Sequence, residues 1–242
     1  LLNLNVLCIF APVEDILFNP VYNALISGDA RFSLGTETVK YFDEQVSPFA
    51  GFPTGYNKGF AELYDLLPAG RGIIYATPGE IEEPQGWQLK VALKGLQFVY
   101  AAGNKVEEDV IKPVPLSTGH VPEMIALATL TKPGPFSTRT IEFGHYHGIF
   151  ENDRLAAMAG QRLHVNDHTE ISAVCTHPDF LGKGYAATLM RHQVKFILSQ
   201  GQVPFLHVRA DNDRAIALYK RLGFKENRVM NFYFMKRSPA KA

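Results

Sequence analysis

The chain has 242 residues, 46% of them hydrophobic, which is enough for a substantial core and for two domains. Its 24 basic and 24 acidic side chains cancel, so we expect no general affinity for nucleic acid or for an anionic membrane. The two cysteines, Cys8 and Cys175, are too few and too far apart in sequence for a disulfide framework or a metal site, and we expect a reducing, cytoplasmic setting.

The first part of the chain predicts a small α/β domain over residues 1–105. Its apolar opening, residues 1–10, lacks the basic flank of a signal peptide and the length of a membrane span, so we expect a buried strand or helix start. Apolar spacing then predicts helices at 21–26 and 60–67 and strands at 72–76 and 88–100. The Pro- and Gly-rich stretch 47–55 predicts a turn cluster, with the border of a binding cleft as the alternative. A polar stretch at 101–109 marks the domain boundary.

The second part, residues 106–242, predicts strands and helices around one sheet. Pro113 and Pro115 place the first strand, 110–116, at a sheet edge, because proline lacks a backbone donor. A helix at 117–131 and a loop at 132–136 follow. The later predicted strands are 146–150 and 155–165, which form a hairpin, then 170–176, 203–209 and 231–235, and the later predicted helices are 185–198 and one that begins after Asn212.

The junction after the strand at 170–176 carries the strongest functional signal. Gly182 and Gly184 precede the predicted helix, so the backbone can approach a ligand closely and free N–H groups point at an anion. A P-loop is excluded because no hydroxyl residue follows Lys183. A dinucleotide fingerprint matches formally, but residues 177–181 separate the strand from the glycines and too little chain remains for the rest of that fold.

The stretch Leu181-Gly182-Lys183-Gly184-Tyr185-Ala186 resembles the acyl-CoA signature Gln/Arg-x-x-Gly-x-Gly/Ala of the GNAT N-acetyltransferase superfamily. The resemblance implies that these residues bind acyl-CoA: Val174, Cys175, Thr176, Leu181, Gly182, Lys183, Gly184, Tyr185, Ala186, Ala187 and Asn212. Leu181 departs from the pattern, since the family usually has Arg or Gln there. We expect this to weaken binding by about 1 kcal/mol at most, the value of one hydrogen bond, with Lys183 supplying charge instead.

A second stretch, Asn212 to Phe224, is similar to the superfamily's helix signature Asn-x-x-Ala-x-x-Leu-Tyr-x-x-x-Gly-Phe. Asn212 is a favoured N-cap, and Gly223 suits the left-handed residue that ends a helix. Alone, this stretch would be an ordinary amphipathic helix. Because it follows the glycine loop at the family's distance, it favours the same superfamily.

The resemblance implies an α/β (α+β) architecture, the GNAT acyl-CoA N-acyltransferase fold, with a mixed, mostly antiparallel central sheet flanked by helices. It further implies an N-acetyltransferase that moves an acetyl group from acetyl-CoA to a primary amine by direct attack in a ternary complex, with no metal. A preceding α/β domain is similar to two-domain members such as those like glycine N-acyltransferase, in which case the first half is a degenerate GNAT copy.

The resemblance also implies catalytic roles. Glu170, at the start of the strand that leads to the cofactor, is the first candidate for the base, and His168 is the second. Weaker base candidates are His145 and His147. Tyr219 matches the family's general acid, since a phenol stays protonated at neutral pH. Backbone N–H groups around 174–176 stabilise charge on the carbonyl oxygen, so Cys175 is not expected to be a nucleophile.

Two alternatives remain open from the sequence. One is a non-catalytic acyl-CoA-binding or regulatory protein, and the other is an N-acyltransferase that uses a longer acyl-CoA. The expected acceptor is a small-molecule amine or a peptide N-terminus, near the loops 132–136 and 47–55, with no nucleic-acid or membrane partner and a monomer or homodimer as the assembly.

Overall fold

A computed structural model describes residues 15–101 and 110–239. Cys8, the predicted buried start at 1–10 and nearly all of the predicted boundary at 101–109 lie outside these ranges. The helices are α1 (Pro20–Leu25), α2 (Gly59–Leu66), α3 (Val121–Thr131), α4 (Tyr185–Ser199) and α5 (Asp213–Arg221). The strands are β1 (Leu34–Gly35), β2 (Lys40–Tyr41), β3 (Ala50–Gly51), β4 (Gly72–Thr77), β5 (Trp87–Tyr100), β6 (Val114–Pro115), β7 (His147–Glu151), β8 (Arg154–Val165), β9 (His168–Thr176), β10 (Val203–Arg209) and β11 (Phe224–Arg237).

Eight strands form the central sheet, in the order β4-β11-β5-β10-β9-β8-β7-β6. Neighbours run antiparallel except β9 and β10, which are parallel. Strands β1, β2 and β3 form a separate small sheet. The predicted mixed, mostly antiparallel sheet flanked by helices is confirmed.

Helices cover both faces of the central sheet. In β10, Phe205 packs in one core with α1 and α3, whereas the next residue, Leu206, packs in another core with α4 and α5. Because successive side chains of a strand point to opposite faces, these two helix pairs lie on opposite sides of the sheet. None of the helices within 15–101 and 110–239 is long and apolar enough to cross a membrane.

Strand β5, from the first part of the chain, lies between β10 and β11. It pairs with β10 from Val99 opposite Phe205 to Gly95 opposite Arg209, and it pairs with β11 along its length. The first part of the chain therefore contributes a central strand to the same sheet as the second part. The division into two domains, 1–105 and 106–242, stays a prediction.

The loop at 47–55 lies in the interior over most of its length. Phe49, Ala50 and Phe52 are buried, and the backbone N–H of Ile74 donates to the carbonyl of Pro48. This burial agrees with a structural turn cluster rather than with the border of an open cleft.

Turn residues, prolines and strand pairing determine where the strands of the second part of the chain begin and end. Asn152 and Asp153 have left-handed φ values of 51° and 60°, as the two-residue turn of the predicted β7–β8 hairpin requires. The first strand shrinks to Val114–Pro115 at the sheet edge, where the prolines predicted it. The last strand is longer than predicted and starts at Phe224, because pairing with β5 extends it through a polar stretch that has no strand pattern of its own.

Candidate active site

The site begins at a bulge in β9. Opposite β8, Cys175 faces Met158 and Ser172 faces Gly160, so Ala173 and Val174 share one partner position. Ala173 has a φ of 54°, a left-handed value that residues other than Gly and Asn rarely adopt. A bulge leaves an extra residue unpaired, which frees backbone groups of β9 for a ligand.

Beside this bulge the sheet divides. The parallel ladder between β9 and β10 ends where Glu170 faces Phe205. From there β9 continues to Thr176 against β8, and β10 continues to Arg209 against β5. The sheet therefore has a cleft between β9 and β10 that opens toward the glycine loop.

The glycine loop is open at the point where acyl-CoA is predicted to bind. Gly182 and Gly184 have φ values of 82° and 81°, and a Cβ added at either position would meet no atom of the residues that the structure describes within 4 Å. Helix α4 begins directly after its N-cap residue Gly184, which has no side chain to cap the first N–H groups of the helix. The backbone groups of residues 184–187 are therefore available to an anion, as a phosphate seat requires.

The ammonium of Lys183 is paired with a carboxylate next to the phosphate seat. Glu151 accepts hydrogen bonds from both Lys183 and the Tyr185 hydroxyl. These bonds hold the pKa of Glu151 below its usual range. Sequence reasoning missed Glu151, which ends β7. The side chain of Leu181, which departs from the family signature, is 49% exposed.

Tyr219 and Cys175 are both buried, Cys175 in the core with α1 and α3 and Tyr219 in the core with α4 and α5. Burial raises the pKa of the Cys175 thiol to about 11, so it carries little thiolate at neutral pH. Burial, with a smaller contribution from Cys175, raises the pKa of Tyr219 to about 12. The phenol is 8% exposed and stays protonated at neutral pH, as a proton donor must. Asn212 caps α5, since its Oδ1 accepts from the backbone N–H of Ala215 at 3.2 Å.

Glu170 lies in a buried ion pair. Its side chain is fully buried and accepts from Arg162 Nε at 2.8 Å, from Arg162 Nη2 at 2.6 Å and from His207 Nδ1 at 2.8 Å. Burial alone would raise its pKa, but Arg162 and His207 outweigh that cost and lower it to about 2. A carboxylate with this pKa is a weak proton acceptor at neutral pH, and the base role predicted for Glu170 stays untested.

The second ring nitrogen of His207 contacts Gln97 of β5. Gln97 Nε2 donates to the carbonyl of Leu17 at 2.9 Å, and Gln97 Oε1 accepts from Asn227 at 2.7 Å, which fixes the orientation of the amide. The second proton of Gln97 Nε2 then faces His207 Nε2 at 3.0 Å. The ring of His207 therefore bridges Gln97 and Glu170, with its Nδ1 2.8 Å from the Glu170 carboxylate.

The other predicted base candidates lie elsewhere. His168 is the first residue of β9 and forms a hydrogen bond with Asp167. At ~3.3 Å per residue, His168 lies about 20 Å along the strand from Val174. His147 packs against His192 of α4, with ring centroids 4.2 Å apart. Within the two described ranges, no three His, Cys, Asp or Glu side chains come together as a metal site.

One signal in the sequence pointed to Arg162 and His207, which were missed. Both lie inside mainly apolar strands, and charged or titratable residues there are rarely buried unless they are paired. The contacts of His207 with Glu170 and Gln97 were not predictable, because these partners are 37 and 110 residues away in sequence. Arg162 is eight residues from Glu170, and their pairing depends on the register between β8 and β9.

Comparison with known proteins assigns the chain to a family. The FR47-like protein family matches residues 146–233. The ribosomal protein bS18-alanine N-acetyltransferase of Salmonella typhimurium is 32% identical over 126 residues, 49% of this chain and 84% of that protein. The N-alpha-acetyltransferase RimI of Mycobacterium tuberculosis is 32% identical over 93 residues, 37% of this chain and 58% of that protein.

Solved structures agree with this assignment. A protein of Novosphingobium aromaticivorans, assigned to the GNAT family of acetyltransferases, is 34% identical, covers 93% of this chain and 99% of its own, and has a TM-score of 0.86. A GCN5-related N-acetyltransferase from Kribbella flavida shares the fold, with a TM-score of 0.62, 15% identity and coverage of 92% and 96% of the two chains. The chain belongs to the GNAT family of N-acetyltransferases. The predicted fold and enzyme class are confirmed, at the level of this family rather than of its glycine N-acyltransferase-like members.

Proposed function

We propose that this enzyme transfers an acetyl group from acetyl-CoA to a primary amine by direct attack in a ternary complex. The observation that carries the proposal is the open glycine loop, which lies at the end of the strand that borders the cleft in the sheet. The empty space at the Cβ positions of Gly182 and Gly184 fits a diphosphate bound by backbone N–H groups.

The residues around the cleft have roles that follow from their chemistry. Backbone N–H groups at 174–176, beside the bulge, stabilise negative charge that develops on the carbonyl oxygen. The Tyr219 hydroxyl delivers a proton to the departing sulfur, which its raised pKa supports. The Cys175 thiol takes no covalent part, since the nucleophilic form of cysteine is the thiolate.

The acceptor is a primary amine of a small molecule or of a peptide N-terminus. The relative from Salmonella typhimurium is named for acetylating an alanine of a ribosomal protein, which supports a peptide N-terminus as the first class to test. We further propose that the first part of the chain belongs to a two-domain arrangement within the family.

Calorimetry with acetyl-CoA, followed by thiol release with a panel of small amines and alanine-terminated peptides, tests the proposal. We expect micromolar binding and release that depends on an amine. The Gly184→Val variant should lose binding because its branched side chain occupies the phosphate seat, whereas Gly201→Val, at another open glycine with left-handed φ, should retain it. Binding without amine-dependent release would favour a non-catalytic acyl-CoA-binding protein, and unchanged binding by Gly184→Val would refute the seat.

A further inference from the structure

The backbone ladder between β9 and β10 is continued by a side-chain contact at the base of the cleft. The ladder ends at Glu170 and Phe205, and His207 lies two residues further along β10, on the same face as Phe205. The hydrogen bond from His207 to Glu170, at 2.8 Å, therefore joins the two strands just where their backbones part.

Arg162 of β8 fixes the other side of the same carboxylate. It donates to both oxygens of Glu170, and its guanidinium carbon lies 4.8 Å from the centre of the Phe49 ring. A bidentate pair of this kind has little freedom to rotate, because two parallel bonds set the plane of both groups. Glu170 thus has a defined position relative to β8 as well as β10.

The first part of the chain completes this arrangement. Phe49 packs on Arg162, and Gln97 of β5 orients His207 while it is itself held by the Leu17 carbonyl. Phe49 and Gln97 are buried and the His207 side chain is only 5% exposed, so water competes little with these contacts. We call Arg162, Glu170, His207 and Gln97 the cleft clamp.

We propose that Glu170 is a positioning residue rather than the catalytic base, and that the cleft clamp sets the separation of β9 and β10 and so the width of the cleft for acyl-CoA. This inference rests on the proposed function, because it takes the cleft between β9 and β10 as the binding site of the acyl-CoA arm.

The first test is a comparison of Glu170→Gln with the wild-type enzyme, with a KM, a kcat and a pH profile for each. A clamp that sets cleft width predicts a rise of about tenfold in Kd and KM for acetyl-CoA, a kcat within about threefold of wild type, and an acid limb of the pH profile that does not move. A base predicts the reverse, with a fall of about 10² or more in kcat and an unchanged Kd, and this result would overturn the proposal.

The second test leaves Glu170 in place. His207→Phe removes the link across the cleft while the Arg162 pair remains, so the clamp predicts a rise in Kd of the same order, and a wild-type Kd would contradict it. If Glu170→Gln does not fold because Arg162 is left unpaired, the double variant Arg162→Met, Glu170→Leu removes both charges together. The clamp predicts that this double variant retains turnover with a raised KM, and its complete inactivity with normal acetyl-CoA binding would count against it.

Two controls separate this inference from the proposed function. Glu142→Gln breaks a bidentate pair with Arg139 on the surface, at 2.7 and 2.9 Å, and should leave the Kd unchanged. If wild-type enzyme neither binds acetyl-CoA nor turns it over, the proposed function fails. If wild type does both and Glu170→Gln behaves as a missing base, only the clamp fails.

Discussion

The two ends of strand β9 differ in burial and in the groups that they offer. Beyond its C-terminal end, the glycine loop is exposed and offers backbone N–H groups beside open space. Near its start Glu170 is buried between Arg162 and His207, and both side chains donate hydrogen bonds to its carboxylate. A seat made of backbone tolerates side-chain variation such as Leu181, whereas a buried ion pair tolerates little, because removing one partner leaves an uncompensated charge.

Removing Arg162 should cause the largest loss of stability, because Arg162 is the main partner of the buried Glu170 carboxylate. Arg162→Ala leaves the Glu170 carboxylate buried without its main partner, and we expect a loss of about 4 kcal/mol in the free energy of unfolding. Denaturant unfolding measures this. Arg154→Ala is the matched control, because its pair with Asp179 at 3.3 Å is exposed and should contribute less than about 1 kcal/mol. Equal losses in the two variants would contradict the contrast.

Low pH should reduce the stability that the buried Glu170 carboxylate contributes. The folded pKa of Glu170, about 2, is below its ordinary value of 4.5, so the unfolded chain binds this proton first. Its stabilising contribution is present above pH 4.5 and is lost as the pH falls toward 2, by about 3 kcal/mol in total. Unfolding curves between pH 7 and pH 2.5 should show this loss in wild type and not in Glu170→Gln. Parallel pH dependences in the two proteins would be inconsistent with a lowered pKa.

Tyr219 of α5 tests the proposed proton donor. Tyr219→Phe should lower kcat by about 10², the range of a lost general acid, and should change acetyl-CoA affinity by less than about twofold. Single-turnover kinetics and calorimetry separate the two effects. Tyr233→Phe removes another buried phenol, in the core around β4 and α2, and should leave kcat unchanged. Wild-type turnover by Tyr219→Phe would exclude Tyr219 from the mechanism.

The smallest effect is expected at the exposed end. Leu181→Arg restores the family's polar side chain and should tighten acetyl-CoA binding by about fivefold, or ~1 kcal/mol for one added hydrogen bond. Leu198→Arg, at an exposed leucine near the other end of α4, should not change the affinity. A gain at both positions would indicate a general charge effect rather than a contact in the seat.

The same contrast explains what the sequence predicted well. The glycine loop, the capped helix α5 and the β7–β8 hairpin are local, since each depends on residues a few positions apart, and their turn and cap residues are visible in the sequence. The environment of Glu170 was not predictable in this way. Its partners are 8 and 37 residues away, and Gln97 contacts His207 across 110 residues. The position of β5 in the sheet depends on pairing over similar distances.

The central position of β5 also bears on how this chain folds. Val99 pairs with Phe205, and Tyr100 pairs with Phe224. Both edges of β5 therefore pair with strands that lie more than 100 residues later in the chain. Contacts at such separation are slow to form, because the entropy of closing the intervening loop is lost before the pairing stabilises it. During synthesis on a ribosome, β5 remains without either neighbour until β10 and β11 have emerged. Pulsed hydrogen exchange should find the amides of β5 protected late, together with those of β11.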